Sequence, residues 1–206
     1  MFFAIFASLR FKVNRLCLSS ASSVVKAFSL DQESELMKLK YLILLLVSTL
    51  TICIDQVTKL YIDRTMDLHT SITVVENFFN ITYMRNKGAA FSFLANFSYR
   101  IPFFILVSIV AVAVIIAFFR KLRPDQNFTA FALSLIFAGA VGNLIDRIRL
   151  GEVIDFLDVH WYGHHWPAFN VADSAICVGV FLLTIDMFIE ERRQKNLKEH
   201  PPQQTG

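Results

Sequence analysis

The chain has 206 residues, 55% of them hydrophobic and 18% charged, with 21 Phe and a mean hydropathy of +0.51. A water-soluble domain of this length carries more charge and less apolar surface, so the excess is read as facing lipid. The net charge of +3, with no basic stripe interleaved with aromatics, argues against a nucleic-acid partner. Cys17, Cys53 and Cys177 share neither a metal spacing nor a disulfide framework.

Residues 1–36 differ in character from the rest of the chain. Arg10, Lys12, Arg15 and Lys26 lie in the first 30 residues with no acid among them, and Ser19, Ser20, Ser22 and Ser23 cluster in the middle. A secretory signal places its charges before its apolar run, whereas here Phe2 to Leu9 come first. The composition loosely resembles an organellar transit peptide. Met37, followed by Lys-Leu-Lys and an apolar run, reads better as a natural start, which makes residues 1–36 an upstream extension with little structure. The expected organisation is that extension, a four-span domain over 37–190, and a basic cytoplasmic tail over 191–206.

A bilayer crossing takes about 20 mostly apolar residues in a helix. Residues 101–119 and 128–145 carry no charge, and Pro102 suits a first helical turn. Residues 41–62 are apolar up to Ile54 and then hold Asp55, Gln56 and Lys59; residues 169–189 hold Asp173 near the start and Asp186 near the end. Alone, either could be a buried helix of a soluble protein; beside two uninterrupted spans they read as crossings. Arg120, Lys121 and Arg123 place the connector between spans two and three in the cytoplasm, and both termini with it. Lys38, Lys40, Arg192, Arg193, Lys195 and Lys198 agree, while Arg64, Arg85, Lys87 and Arg100 in the outer segment run against the trend. Ser71 to Leu94 is rich in Ile, Val, Thr, Phe and Tyr, with turn residues at Glu76-Asn77 and Asn86-Lys87-Gly88, and predicts a small sheet on the outer face.

Depth along the spans gathers the polar residues. At the helical rise Asp55 lies about 21 Å along span one, Asn143 about 22 Å along span three and Asp146 about 27 Å. Asp173 starts span four, and Asp155 sits in the short outer segment before it. These groups meet at one level, the outer interface, where charge is costly and marks function. Structural readings stand beside the functional one. Asp55 and Lys59 form an i,i+4 pair, Asp146-Arg147 reads also as an interfacial ion pair, and Asp173-Ser174 as a helix cap. Asp155, among Val153, Ile154, Phe156 and Leu157, has no such excuse. Asp63, Asp158 and Asp186 read as solvated or helix-end groups. His160, His164 and His165, near Trp161 and Trp166, read as an interfacial belt rather than a zinc site, since no HExxH spacing is present. No GxSxG supports a nucleophilic serine.

Four stretches resemble those of the lipoprotein signal peptidase family, also called signal peptidase II. They are Asp55-Gln56-x-x-Lys59; Arg85-Asn86-Lys87-Gly88-Ala89-Ala90-Phe91; Gly142-Asn143-Leu144-Ile145-Asp146-Arg147; and Val153-Ile154-Asp155-Phe156 with Phe169-Asn170-Val171-Ala172-Asp173-Ser174. The resemblance covers about residues 37–190, in order and on four spans. It implies a membrane aspartic endopeptidase that removes the signal peptide of prolipoproteins just before a diacylglyceryl-modified cysteine. Asp155 and Asp173 take the positions of the catalytic pair. Asn86, Gly88, Asn143, Asp146, Arg147 and Asn170 are assigned to the substrate-facing or supporting set, with Asp55 and Lys59.

Two carboxylates sharing a site cannot both ionise easily, so one keeps a proton. The ionised one takes a proton from water as the water attacks the scissile carbonyl; the other bonds the carbonyl oxygen and later serves the leaving amine. Asp173, where a helix N-terminus favours negative charge, is read as the initial base and Asp155 as the acid. No metal or organic cofactor is expected, the partners are lipidated prolipoproteins and membrane lipid, and a monomer is expected. A proton-coupled transporter is the main rival, but it favours acids near mid-membrane. A presenilin-like protease lacks its GxGD here, and a non-catalytic assembly factor is separated by a peptidase assay.

Overall fold

The structure, a computed structural model, describes residues 2–88 and 99–199. Its elements in order are α1 Phe2–Thr65, β1 Ser71–Val75, β2 Phe79–Asn86, α2 Arg100–Lys121, α3 Asn127–Leu150, β3 Val153–Trp161, β4 His164–His165 and α4 Val171–Glu199. Each helix contains a stretch long and apolar enough to cross a membrane: Glu35–Thr65, Arg100–Lys121, Asn127–Leu150 and Val171–Asn196. Four such helices with a small antiparallel sheet are the architecture expected from the sequence. The start of α1 differs: the helix is continuous from Phe2 through the boundary expected at Met37. Residues 1–36 contain no Gly or Pro to interrupt it.

α3 packs against each of the other three helices. Its buried face is built of small residues, among them Ala130, Ala132, Ser134, Ala138, Gly139 and Gly142. Two glycines are required there by close approach. A Cβ on Gly139 would lie 2.3 Å from the Ala172 carbonyl oxygen, and one on Gly142 2.6 Å from Asp55 Oδ2. Lipid offers no hydrophobic drive between helices, so close packing of small residues and interhelical hydrogen bonds hold them together. Ser48 Oγ donates to the Ser134 carbonyl at 3.3 Å, and Thr129 Oγ1 to Asp186 Oδ2 at 2.6 Å. Asp186 is therefore an interhelical acceptor rather than a solvated group. At the end of the bundle holding the α2–α3 connector, buried Lys40 donates to the Leu122 carbonyl at 2.8 Å and caps α2. Large apolar side chains such as Leu45, Leu50, Val57, Leu106, Phe118 and Phe181 are exposed, as a lipid-facing surface requires.

The sheet forms at the opposite end of the bundle in the order β1-β2-β3-β4. The turn expected at Glu76-Asn77 joins β1 to β2, with Asn77 at φ 59°, a conformation Asn tolerates. At the second expected turn the Gly88 N–H donates to Asn86 Oδ1 at 3.0 Å. The rest of the strand-favouring stretch, from residue 89 to Leu94, lies outside the described residues. β3 goes beyond the expected sheet: Val153–Trp161 reads as a connector until its alternation is noticed. Ile154 and Phe156 point into a cluster with Ile62 and Tyr83, and that period of two is the strand signal. Pairing of β2 with β3 joins the two segments between spans into one sheet. Between Ile81↔Leu157 and Met84↔Asp155 the register slips, a bulge that bends β2 beside Asp155. Tyr83 and Arg85 both donate to Asp63 at the end of α1, Arg85 at 2.9 Å, anchoring β2 to the helix.

Candidate active site

Beneath the sheet, α1, α3 and the start of α4 converge on one buried cation. Lys59 Nζ lies 2.9 Å from Asp55 Oδ2 and 2.8 Å from Asp146 Oδ2, and all three side chains are about 1% exposed or less. The carboxylates are satisfied from several directions. Asp55 Oδ1 accepts the Ala172 N–H at 2.8 Å, and Asp146 Oδ2 accepts the Ile154 N–H at 3.3 Å. Gln56 Nε2 reaches Asp55, Asp146 and the Gly142 carbonyl at 3.1–3.2 Å. The first structural reading of these acids is extended and the second corrected: Asp55 and Lys59 do pair at i,i+4, but the pair recruits Asp146, whose ion-pair partner is Lys59 and not Arg147.

The third contact of Lys59 leads to the candidate dyad. Lys59 Nζ donates to Asn143 Oδ1 at 3.1 Å, and Asn143 Nδ2 donates to Asp173 Oδ1 at 2.8 Å. A cation can only donate, so Lys59 dictates which end of the Asn143 amide faces Asp173. Asn170 is fixed in the same way from outside the dyad. Its Oδ1 accepts the Asp173 N–H at 2.9 Å and its Nδ2 donates to the Ile154 carbonyl at 3.2 Å. The same Nδ2 then donates to Asp155 Oδ1 at 2.7 Å. Asn170 precedes α4 and bonds its third N–H, so it, and not Asp173, caps the helix. The Asp173 carboxylate is thereby left out of the cap, held by Asn143 and lining the cleft. Asn86, at the end of β2, donates to Asp155 Oδ2 at 3.1 Å.

Asp155 and Asp173 line one cleft of about 500 Å³, together with Asn86, Gly88, Asn143, Arg147 and the apolar Val153, Phe169 and Ile176. Burial and, next, the neighbouring charge of Asp173 raise the Asp155 carboxyl from its usual acidic range to about 7, against the hydrogen bonds of Asn86 and Asn170. Six of the ten site residues expected from sequence therefore face the cleft. Asn170, Asp55, Lys59 and Asp146 stand behind it as supports. Gln56, part of the first motif but not assigned to the site from sequence, is a further support.

The remaining polar candidates fall elsewhere. Asp158 is buried rather than solvated, taking hydrogen bonds from Asn80 Nδ2 and His165 Nδ1, both at 2.8 Å. His160 stacks on His165 with ring centroids 4.6 Å apart, and His164 and Trp161 are exposed. Among the described residues no three His, Cys, Asp or Glu side chains are grouped to hold a metal ion.

A family model described as Signal peptidase (SPase) II matches residues 47–189. The chain is 66% identical over 158 residues to the lipoprotein signal peptidase of Geobacter metallireducens, covering 77% of this chain and 98% of the relative. It is 69% identical over 144 residues to the lipoprotein signal peptidase of Geobacter sulfurreducens, covering 70% and 90% respectively. A solved bacterial membrane enzyme, 35% identical, superposes with a TM-score of 0.66 over 79% of this chain and 94% of that one. A second, 38% identical, gives 0.62 over 70% and 91%.

Proposed function

The chain belongs to the signal peptidase II family, and we propose that it cleaves diacylglyceryl-modified prolipoproteins immediately before the lipidated cysteine, using Asp155 and Asp173 to activate a water. As a peptidase of that family with four spanning helices, it is a multi-pass protein of the bacterial inner membrane. The observation that carries the mechanism is the placement of two carboxylates in one cleft, each gripped by an amide whose orientation is set from outside. Asp173 takes a proton from water as the water oxygen attacks the scissile carbonyl. Asp155, its carboxyl raised to about 7 by burial and the charge of Asp173, gives its proton to the carbonyl oxygen when it holds one. Collapse of the tetrahedral species breaks the C–N bond: Asp173 passes its proton to the leaving amine, one hydroxyl of the diol returns its proton to Asp155 as the carbonyl re-forms, and the pair again holds one proton. Purified protein should cut a diacylglyceryl-cysteine peptide, with chelator present throughout, and leave the unlipidated peptide whole. Equal cleavage of both peptides would remove the lipid from the recognition.

Orientation is part of the proposal. The cleft lies at the end of the bundle away from Arg120, Lys121 and Arg123, so a cytoplasmic connector puts the site at the outer leaflet, with both termini inside. Reporter fusions after Asn96 and His164 should report the outside and one after Arg123 the cytoplasm; an outside signal at Arg123 reverses the placement. Deleting residues 1–36 should leave cleavage intact, because every site residue lies beyond Met37. A truncated protein that is present at normal level but inactive would assign the extension a role.

Asn143 and Arg147 support the reaction without carrying it. Asn143→Ala and Arg147→Ala should each slow cleavage by roughly ten- to a hundredfold, the worth of one hydrogen bond to a charged group. Rates equal to the parent in both variants would take these residues out of the site.

A further inference from the structure

Arg147 lines the cleft, yet no carboxylate of the described residues lies within ion-pair distance of its guanidinium. The charges acting on it are Asp146 on its own helix, Asp155 on β3 and Asp173 on α4. Lys59, and for Asp173 also Asp55, reach the dyad from α1. A guanidinium on a long stem beside two carboxylates ordinarily closes onto one of them as a bidentate pair. Here α2 holds it away. Arg147 Cζ sits 5.6 Å from the centroid of the buried Phe104 ring. Its Nη1 donates to Ser108 Oγ at 3.5 Å and to the Asn143 carbonyl at 3.4 Å. Ser108 spends its own proton on the Phe104 carbonyl at 2.8 Å, so its oxygen turns a lone pair to the arginine. Phe104 and Ser108 are one turn apart and brace one cation between them.

We infer that Phe104 and Ser108 are positioning residues for the peptidase reaction: they hold Arg147 off the aspartates and present its remaining donors to the substrate backbone. The contact matters for protonation. An arginine paired with a carboxylate favours the charged form, which would strip the acid of the proton that the reaction needs. The ring face attracts the cation without accepting a proton or competing for one, so the guanidinium stays charged, oriented and clear of the pair. This rests on Asp155 and Asp173 being the reacting acids.

The test compares Phe104→Leu with Phe104→Tyr, which keeps the ring. Cleavage of a diacylglyceryl-cysteine peptide is followed from pH 5 to 9, alongside the amount of each variant in the membrane. Phe104→Leu should raise KM about tenfold, the loss of one desolvated cation–π contact, and move the alkaline limb of the profile to lower pH. Phe104→Tyr should restore both. If Phe104→Leu fails to accumulate, Ser108→Ala carries the same test with a smaller shift in the same direction. A parent-like KM and profile in Phe104→Leu overturns the inference, as does a slower enzyme whose limbs stay in place and which Phe104→Tyr does not rescue. Failure of the underlying dyad is distinguishable: it appears as cleavage by Asp155→Asn or Asp173→Asn, whatever Phe104 does.

Discussion

Asp155→Asn and Asp173→Asn should each lose nearly all cleavage, on the order of a thousandfold or more, while accumulating normally in the membrane and still binding lipidated substrate. Asparagine keeps the size and polarity of each side chain and removes only the titratable group. The double variant should be hardly slower than either single one, because members of a catalytic unit are non-additive. The same pair fixes the pH dependence. Asp155 is pushed up to about 7, chiefly by burial and then by the charge of Asp173. It must be protonated to act as the acid, so kcat/KM should fall as pH rises through about 7. At the other extreme, activity falls once Asp173 is protonated, giving a bell. Steady-state cleavage of the lipidated peptide across pH settles both points. Substantial turnover by either asparagine variant, or a rate that keeps climbing well above pH 7, would falsify the dyad as assigned.

Much of this site is legible in the residues alone, and the reason is physical. Membrane depth can be read from a helical rise, and charge in an apolar span is expensive enough to stand out. Counting residues therefore puts Asp55, Asn143, Asp146 and Asp173 at one level. What counting does not provide is partnership. Adjacency suggests Arg147 as the partner of Asp146, yet its partner is Lys59, on another helix. Asp173 reads as the helix cap, but Asn170, three residues earlier, makes that bond and leaves Asp173 in the cleft. β3 is hidden because Asp155 and Asp158 dilute its apolar alternation, and because its pairing strand β2 lies in a different inter-span segment. Phe104 and Ser108 give no signal at all: an aromatic and a serine in an apolar span are ordinary, and only proximity to Arg147 distinguishes them.

Lys59→Met should prevent the protein from accumulating, because the variant strands two acids. Asp55 and Asp146 are fully buried, and Lys59 is the one cation of the described residues within ion-pair distance of either. Methionine matches the length of the stem but leaves two carboxylates facing only amide donors. Removing one partner of a buried ion pair costs about 3–5 kcal/mol, a large part of the stability of an ordinary domain. The decisive comparison is the variant that neutralises the whole cluster, Lys59→Met with Asp55→Asn and Asp146→Asn. With no buried charge left, accumulation and thermal stability should largely return, since replacing an entire buried pair is often close to neutral. Activity should not return with them. Asn143 Oδ1 will have lost its charged donor and will keep only the longer bond from Asn170 Nδ2 at 3.3 Å, so its Nδ2 will be held less firmly toward Asp173. Level in the membrane and melting temperature report the first effect, and turnover of the lipidated peptide the second. Parent-like accumulation of Lys59→Met would show that the cluster contributes little to folding. Full turnover by the triple variant would show that the link from Lys59 through Asn143 to Asp173 does not govern the reaction.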